Sequence, residues 1–245
     1  MPAVANQQEP SKPLRIAVAA NFTPVLKVLL NDFTAQTGIK SQIISGASGA
    51  MFLQIKHGAP FDVFLSADSR RPKELEQTGF TLANSRQTYA TGQLALYSST
   101  LQSLEQLSPK PEQGAEQISE QYFAIANPDI APYGKAAKEA LIHLGLWQSY
   151  QDKLIKGINI GQTFSQIRSK AVNSGLVANS QLVLNNLSGV IIPSTYHQPI
   201  EQQLVIMKAS NNQLAAKKFA DFLLSEKNQA IIVSYGYAQA KQANE

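Results

Sequence analysis

The chain has 245 residues, 44% hydrophobic and 16% charged, and no cysteine. It is long enough to bury a full core as one large domain or two lobes, and the missing thiols exclude disulfides, thiolate metal sites and a cysteine nucleophile. The formal charge of +4 and pI near 9.2 raise nucleic acid as a partner, but the 21 basic residues are spread along the chain in pairs no longer than Arg70-Arg71 and Lys217-Lys218, so no nucleic-acid partner is expected.

Met1 to Pro13 is polar and proline-containing and reads as a flexible leader. The expectation is an exported chain in which an initiator Met replaces a secretory signal, with a native tail on a cytoplasmic protein as the alternative. Leu14 to Ala19 (LRIAVA) predicts a buried parallel strand. The turn Ala20-Asn21-Phe22-Thr23-Pro24 leads into a helical stripe at Val25, Leu26, Leu29, Leu30 and Phe33, with Pro24 in the first turn and Gly38 past the end.

Ile39 to Ile44 predicts a second strand, followed by the small residues Ser45 to Ala50 and a helix from Met51 to His57, with Ser48 as its cap. A strand that ends in small residues and opens a helix leaves free backbone N–H groups and a positive dipole end at one spot, which suits an anion. Asn21 and Ser48 therefore end two successive strands of a βαβα pattern. In an open parallel sheet, ligands bind outside the carboxyl ends of the strands.

Asp62 to Ser66 predicts a third strand, and Asp68 or Ser69 caps a helix running to Gly79. Asp62 and Asp68 read better as turn and cap ligands than as an acid/base pair. From Tyr89 to Ser98, Thr91-Gly92-Gln93 interrupts two β-rich runs and marks a crossing between lobes; Thr100 to Gln117 is polar and turn-rich. Tyr122 to Ala126 predicts a buried strand that feeds a shaped loop through Pro128, Pro132 and Gly134 into a helix from about Lys135 to Leu144. Tyr133 lies where its phenol or its N–H faces a ligand, or where the ring packs over the turn.

Ile158 to Ile160 is read as a short strand before a helix with Phe164, Ile167 and Ala171 on one face. Strands follow at Gly175 to Ala178, Val190 to Ile192 and Gln203 to Met207. A helix over Gln213 to Leu224 carries a stripe of Leu214, Ala215, Phe219, Phe222 and Leu223, and a last helix starts at Ser225. An enzyme acting on a small anionic substrate is disfavoured, because His57, His143 and His197 show no metal-ligand spacing and no activated nucleophile is visible. A cytoplasmic sensing module of a regulator is a third reading, with no DNA-binding segment in these residues.

Six stretches then combine: AVAANF (17 to 22), SGASGAMFLQIKHGAPFDVFLSAD (45 to 68), ANPDIAPYGKAAKEAL (126 to 141), NIGQTF (159 to 164), GLVANSQ (175 to 181) and SYGY (234 to 237). With these the chain resembles, from about Leu14 to Tyr237, the molybdate-binding proteins of ABC uptake systems, a branch of the periplasmic solute-binding proteins. The resemblance implies an α/β, two-lobed type II binding-protein fold, each lobe a mixed, mostly parallel sheet flanked by helices, with the ligand cleft between them. It implies lobe 1 over 14–92 plus 201–245 and lobe 2 over 93–200.

It also implies a periplasmic location, a likeness to monomeric receptors that need no cofactor, molybdate or tungstate as ligand, and a membrane ABC permease as partner. Sulfate or another oxyanion is the alternative cargo. By position, Asn21 falls where members carry Ser or Asn, and Ser48 on the serine giving hydroxyl and N–H. Tyr133 follows the proline of the turn expected to offer an N–H, and Ile160 matches an apolar residue whose N–H points inward. Ala20 and Ala178 stand where some members place a hydroxyl. Ala20 can then offer at most an N–H, and the tyrosine hydroxyl missing at Ala178 is either replaced by Tyr133 or absent. A fully deprotonated tetrahedral oxyanion needs only donors, which these positions supply, whereas a protonated phosphate would want an acceptor.

Overall fold

The computed structural model describes residues 12–99, 101–107 and 122–239. The leader up to Ser11 and most of the Thr100 to Gln117 stretch lie outside those residues. Strand β1 (Leu14–Ala19) is followed by helix α1 (Thr23–Thr37), β2 (Ser41–Gly46), α2 (Ser48–Lys56), β3 (Val63–Ser66) and α3 (Arg70–Gln77). Then β4 (Gln87–Gly92) and β5 (Leu94–Ser98) are separated by Gln93 alone. The next elements are β6 (Phe123–Ala126), α4 (Pro132–His143), α5 (Trp147–Tyr150), β7 (Leu154–Gly157), α6 (Ile160–Arg168), β8 (Ser174–Ala178), α7 (Asn179–Leu184) and β9 (Val190–Ile191). The chain ends with β10 (Ile200–Ile206), α8 (Gln213–Leu224) and α9 (Glu226–Ser234).

These strands form two five-stranded sheets, ordered β2-β1-β3-β10-β4 and β7-β6-β8-β5-β9. In each, four strands run one way and one runs against them: β10 in the first, β5 in the second. The two lobes thus repeat one topology, and each reversed strand is the first one laid down after the chain changes sheet. The crossing falls at Gly92–Leu94, in the Thr91-Gly92-Gln93 interruption, and the chain returns before Ile200.

Apolar periodicity sets the packing. All five α1 stripe residues are buried, and Phe33 meets Phe219 of α8 edge to face at 5.5 Å between ring centroids. Each such side chain contributes about 1.5–3 kcal/mol on leaving water. The α8 stripe differs from expectation: Leu214 is 79% exposed, and Ala216, Phe219, Ala220 and Leu223 face the core. A further difference bears on the site. Ile158 to Ile160 is not a strand, because Asn159 Oδ1 accepts from the Gln162 N–H at 3.0 Å and caps α6, which Ile160 opens. The strand that leads into α6 is β7, just upstream.

Candidate functional site

Four helices open toward one small cavity between the sheets. Its wall includes Ala20 and Asn21 at the entry to α1, Ser48 at the start of α2, Tyr133 at the start of α4, and Ile160 at the start of α6. Two of these helices belong to each lobe. The cavity is small, about 10 Å³, the scale of one compact polar species rather than an organic solute. Its lining carries no Lys, Arg, Asp, Glu or His. What it offers an anion is first-turn N–H groups, which have no partner within their own helix, together with four dipole ends, each worth about 0.3–1 kcal/mol.

Each donor has a local cause. Ala47, extended at φ −72 and ψ 143, is the N-cap of α2, so Ser48 is the first helical residue and not the cap. The Ser48 oxygen instead accepts the Ala67 N–H at 2.9 Å. With its oxygen pinned as an acceptor, the buried hydroxyl is left with its proton to donate. Pro132 has no N–H, so the first donor of α4 is Tyr133. Ile160 is held from behind by Gln181 of α7, whose Nε2 donates to the Ile160 carbonyl at 3.0 Å while its Oε1 accepts the Ala178 N–H at 3.1 Å.

Two expected residues offer less. The Ala20 N–H already donates to the Gly46 carbonyl at 2.9 Å, so Ala20 supplies only wall. Ala178 is fully buried but outside the cavity lining, with its N–H taken by Gln181. Nor does the Tyr133 phenol replace a hydroxyl at that place. It lies against Gly92, where a methyl group would overlap it, and accepts from Gln202 Nε2 at 3.3 Å. Asp62 accepts from the Arg15 N–H and from Ser210, and Asp68 caps α3 through the Arg71 N–H and pairs with the Arg71 guanidinium; both are structural ligands. His57 Nδ1 contacts the Leu53 carbonyl, His143 stacks on Tyr196, and His197 Nδ1 contacts the Gln198 carbonyl, all outside the cavity lining. Among the described residues no group of acidic, His or Cys side chains is arranged to hold a metal ion.

Sequence reasoning missed the contacts that cross between lobes. The Gly49 N–H of α2 donates to the Ile130 carbonyl at 2.9 Å, and Arg71 Nη2 lies 3.5 Å from the Asp129 carbonyl. Beneath the cavity, Gln202 of β10 joins Asn21, Tyr89 and Tyr133, and the Tyr237 hydroxyl donates to the Asn21 carbonyl at 3.0 Å. The local signal is a pair of glutamines, Gln202-Gln203, next to Glu201 in a strand whose other residues are apolar.

Burial pushes the phenols of Tyr89, Tyr133 and Tyr237 above their ordinary value of 10.0, and for Tyr89 and Tyr133 the neighbouring phenols add to the shift. All three stay protonated in the folded chain after the unfolded chain has begun to ionise. Above pH 10 the unfolded state binds fewer protons than the native state, so stability should be level with respect to these groups below that pH and fall above it. The slope should reach about 1.4 kcal/mol per pH unit for each tyrosine. Thermal melts between pH 8 and 11 with phenolate absorbance recorded in parallel check this: the three phenols should ionise only with unfolding. With eight tyrosines in the chain, phenolate absorbance before the melt exceeding that of the five others would refute it.

The sequence model described as bacterial extracellular solute-binding protein matches residues 14–238. The chain belongs to this family. Among relatives of this solute-binding protein, the molybdate-binding protein ModA of Azotobacter vinelandii is 37% identical over 234 residues, covering 91% of this chain and 89% of the relative. The ModA of Rhodobacter capsulatus is 37% identical over 223 residues, covering 90% and 86%. In three dimensions the periplasmic molybdate-binding protein of A. vinelandii superposes with a TM-score of 0.82 at 36% identity, over 93% of this chain and all of that one. The solute-binding protein described here therefore has the two-lobed periplasmic binding fold, with the cavity at the lobe interface. None of its described helices is long and apolar enough to cross a membrane.

Proposed function

We propose that this chain captures a tetrahedral oxyanion, molybdate and also tungstate, between its lobes and delivers it to a membrane ABC permease. The observation that carries this reading is the convergence of four helix N-termini, two from each lobe, on one uncharged cavity of inorganic-ion size. The donors are Asn21 and Ser48 from the lobe of residues 14–92 plus 201–245, and the N–H groups at Tyr133 and Ile160 from the lobe of residues 93–200. Because no single lobe holds the full set, the anion binds the closed form better than the open one, and that difference drives closure. Each neutral donor to a charged oxygen contributes about 1.5–3 kcal/mol, so a handful supports submicromolar binding after ordering costs.

The kinship to proteins named for molybdate supports that cargo. The receptor works as a monomer in the periplasm, without a cofactor and without catalysis; Asp62, Asp68 and the three histidines are engaged with backbone or neighbouring side chains outside the cavity lining. Isothermal titration calorimetry of the dialysed chain against molybdate, tungstate, sulfate and phosphate at neutral pH tests it. The expected result is tight one-to-one binding of molybdate and tungstate with similar affinity, and no heat from phosphate. Preferred sulfate binding would keep the site and change the cargo; silence with all four would discard the site.

A further inference from the structure

One atom beneath the cavity is left without a partner. Asn21 lines the cavity and is 1% exposed, yet its Oδ1 has no hydrogen bond. Both hydrogens of its Nδ2 are spent inward, on Gln202 Oε1 at 2.9 Å and on the Tyr237 oxygen at 3.1 Å. Gln202 is fully buried; its Oε1 also accepts the Tyr89 hydroxyl at 3.0 Å, and its Nε2 donates to the Tyr133 oxygen. In this arrangement the Asn21 side chain has an acceptor to spare and no free donor, the wrong polarity for a fully deprotonated oxyanion, and only its backbone N–H is left to serve as one.

The oxygen and nitrogen ends of a side-chain amide have nearly the same size and shape, so either can be exchanged by a half-turn that moves no other heavy atom. If Asn21 alone turned, its Oδ1 would face Gln202 Oε1 and the contact would become repulsive. If both turn, Gln202 Nε2 donates to Asn21 Oδ1 and to the Tyr89 oxygen. The Tyr89 hydroxyl keeps its contact with the Ser66 carbonyl, 3.3 Å away, now as its donor role. Gln202 Oε1 accepts from the Tyr133 hydroxyl, and the Tyr237 proton is shared between the Asn21 carbonyl and Oδ1. The buried unpaired acceptor has then become an N–H on Asn21 with no protein partner, available to a ligand.

We propose that Gln202 is a positioning residue: it sets the direction of the Asn21 amide, and the two amides turn together when an oxyanion arrives, so that the anion meets Nδ2–H rather than Oδ1. The inference rests on the oxyanion reading of the cavity and adds a source of specificity to it. An anion bearing a proton would be served by the unturned arrangement, whereas one without protons selects the turned one.

Gln202→Glu tests this, because an ionised carboxylate only accepts and so holds Asn21 Nδ2 inward. The variant should bind molybdate about tenfold more weakly or worse, the scale of one charge-assisted hydrogen bond. In an Asn21→Ala background the same substitution should cost distinctly less, since the amide it acts through is gone and only the repulsion between the carboxylate and the anion remains. An equal penalty in both backgrounds would mean simple repulsion or general damage and would overturn the proposal. A second measurement needs no Gln202 variant: in side-chain amide NMR spectra of the unmodified chain, the Asn21 pair, assigned by its absence in Asn21→Ala, should shift together with the Gln202 pair on molybdate saturation. Signals unmoved at saturation would equally overturn it. A wild-type chain that binds no oxyanion at all would instead sink the functional reading itself.

Discussion

Ser48→Ala is expected to weaken molybdate binding about ten- to hundredfold, the loss of one hydroxyl donor to a charged oxygen at about 1.5–3 kcal/mol. The geometry makes the loss specific. The Ala67 N–H occupies the Ser48 oxygen from behind at 2.9 Å, so the hydroxyl proton has been freed for a partner elsewhere, and the residue is fully buried at the cavity wall. The same substitution leaves the buried Ala67 N–H unpaired, which lowers stability by about 1–3 kcal/mol. Calorimetry at a temperature well below the melting transition separates the two effects. An affinity equal to that of the unmodified chain would place the anion somewhere else.

Gly49→Ala should act on the closed form alone. With the lobes as they stand, a β-carbon on Gly49 would lie 2.8 Å from the Ile130 carbonyl oxygen and 2.9 Å from Arg71 Nη2. The arginine tip can swing away, but the carbonyl belongs to the backbone of the opposite lobe, in a loop held by the Ala131 N–H to the Asn127 carbonyl and the Asn127 N–H to the Gly157 carbonyl. The lobes must therefore stop short of full closure, lengthening the bonds from Tyr133 and Ile160 together. The expected loss is about tenfold to a hundredfold in affinity, as for one or more weakened charge-assisted bonds. In the open form alanine suits a helix better than glycine, so the melting temperature without ligand should hold or rise slightly. Weakened binding with undiminished stability is the signature, and small-angle scattering should show a more open chain at saturating molybdate. Wild-type affinity would show that Gly49 is not at a closure contact.

Much of the site was legible because its donors sit at strand-to-helix turns, and turns write themselves in local sequence. Asn21, Ser48 and Tyr133 each follow a short apolar run and precede a helical stripe, and Pro132 and Gly38 punctuate helices as their backbone chemistry demands. Ile160 stands at the start of α6, where a strand-to-helix turn is expected, but Ile158-Asn159-Ile160, which alternates like a strand, is not one, because Asn159 spends its side chain on capping α6. What was not legible depends on residues far apart in the chain. Whether the Ala20 N–H is free depends on Gly46, and where the Tyr133 phenol points depends on Gln202, 69 positions away. Arg71 reads as a surface basic pair with Arg70, yet its side chain is only 7% exposed, because Asp68 supplies a counter-charge and the opposite lobe covers it. No local pattern distinguishes a buried glutamine in a strand from an exposed one.

The uncharged wall of the cavity has a consequence for the economy of transport. A site that matched a dianion with lysines or histidines would change its own protonation as cargo came and went, and transfer would be coupled to proton movement. Here the only ionisable group on the lining is the Tyr133 phenol, which burial keeps neutral. On the proposed function the cargo enters and leaves as a bare anion: the heat of binding should not depend on the ionisation enthalpy of the buffer, and loading a dianion should lower the net charge of the receptor by two. A permease facing the two forms is presented with proteins of different electrical character as well as different shape.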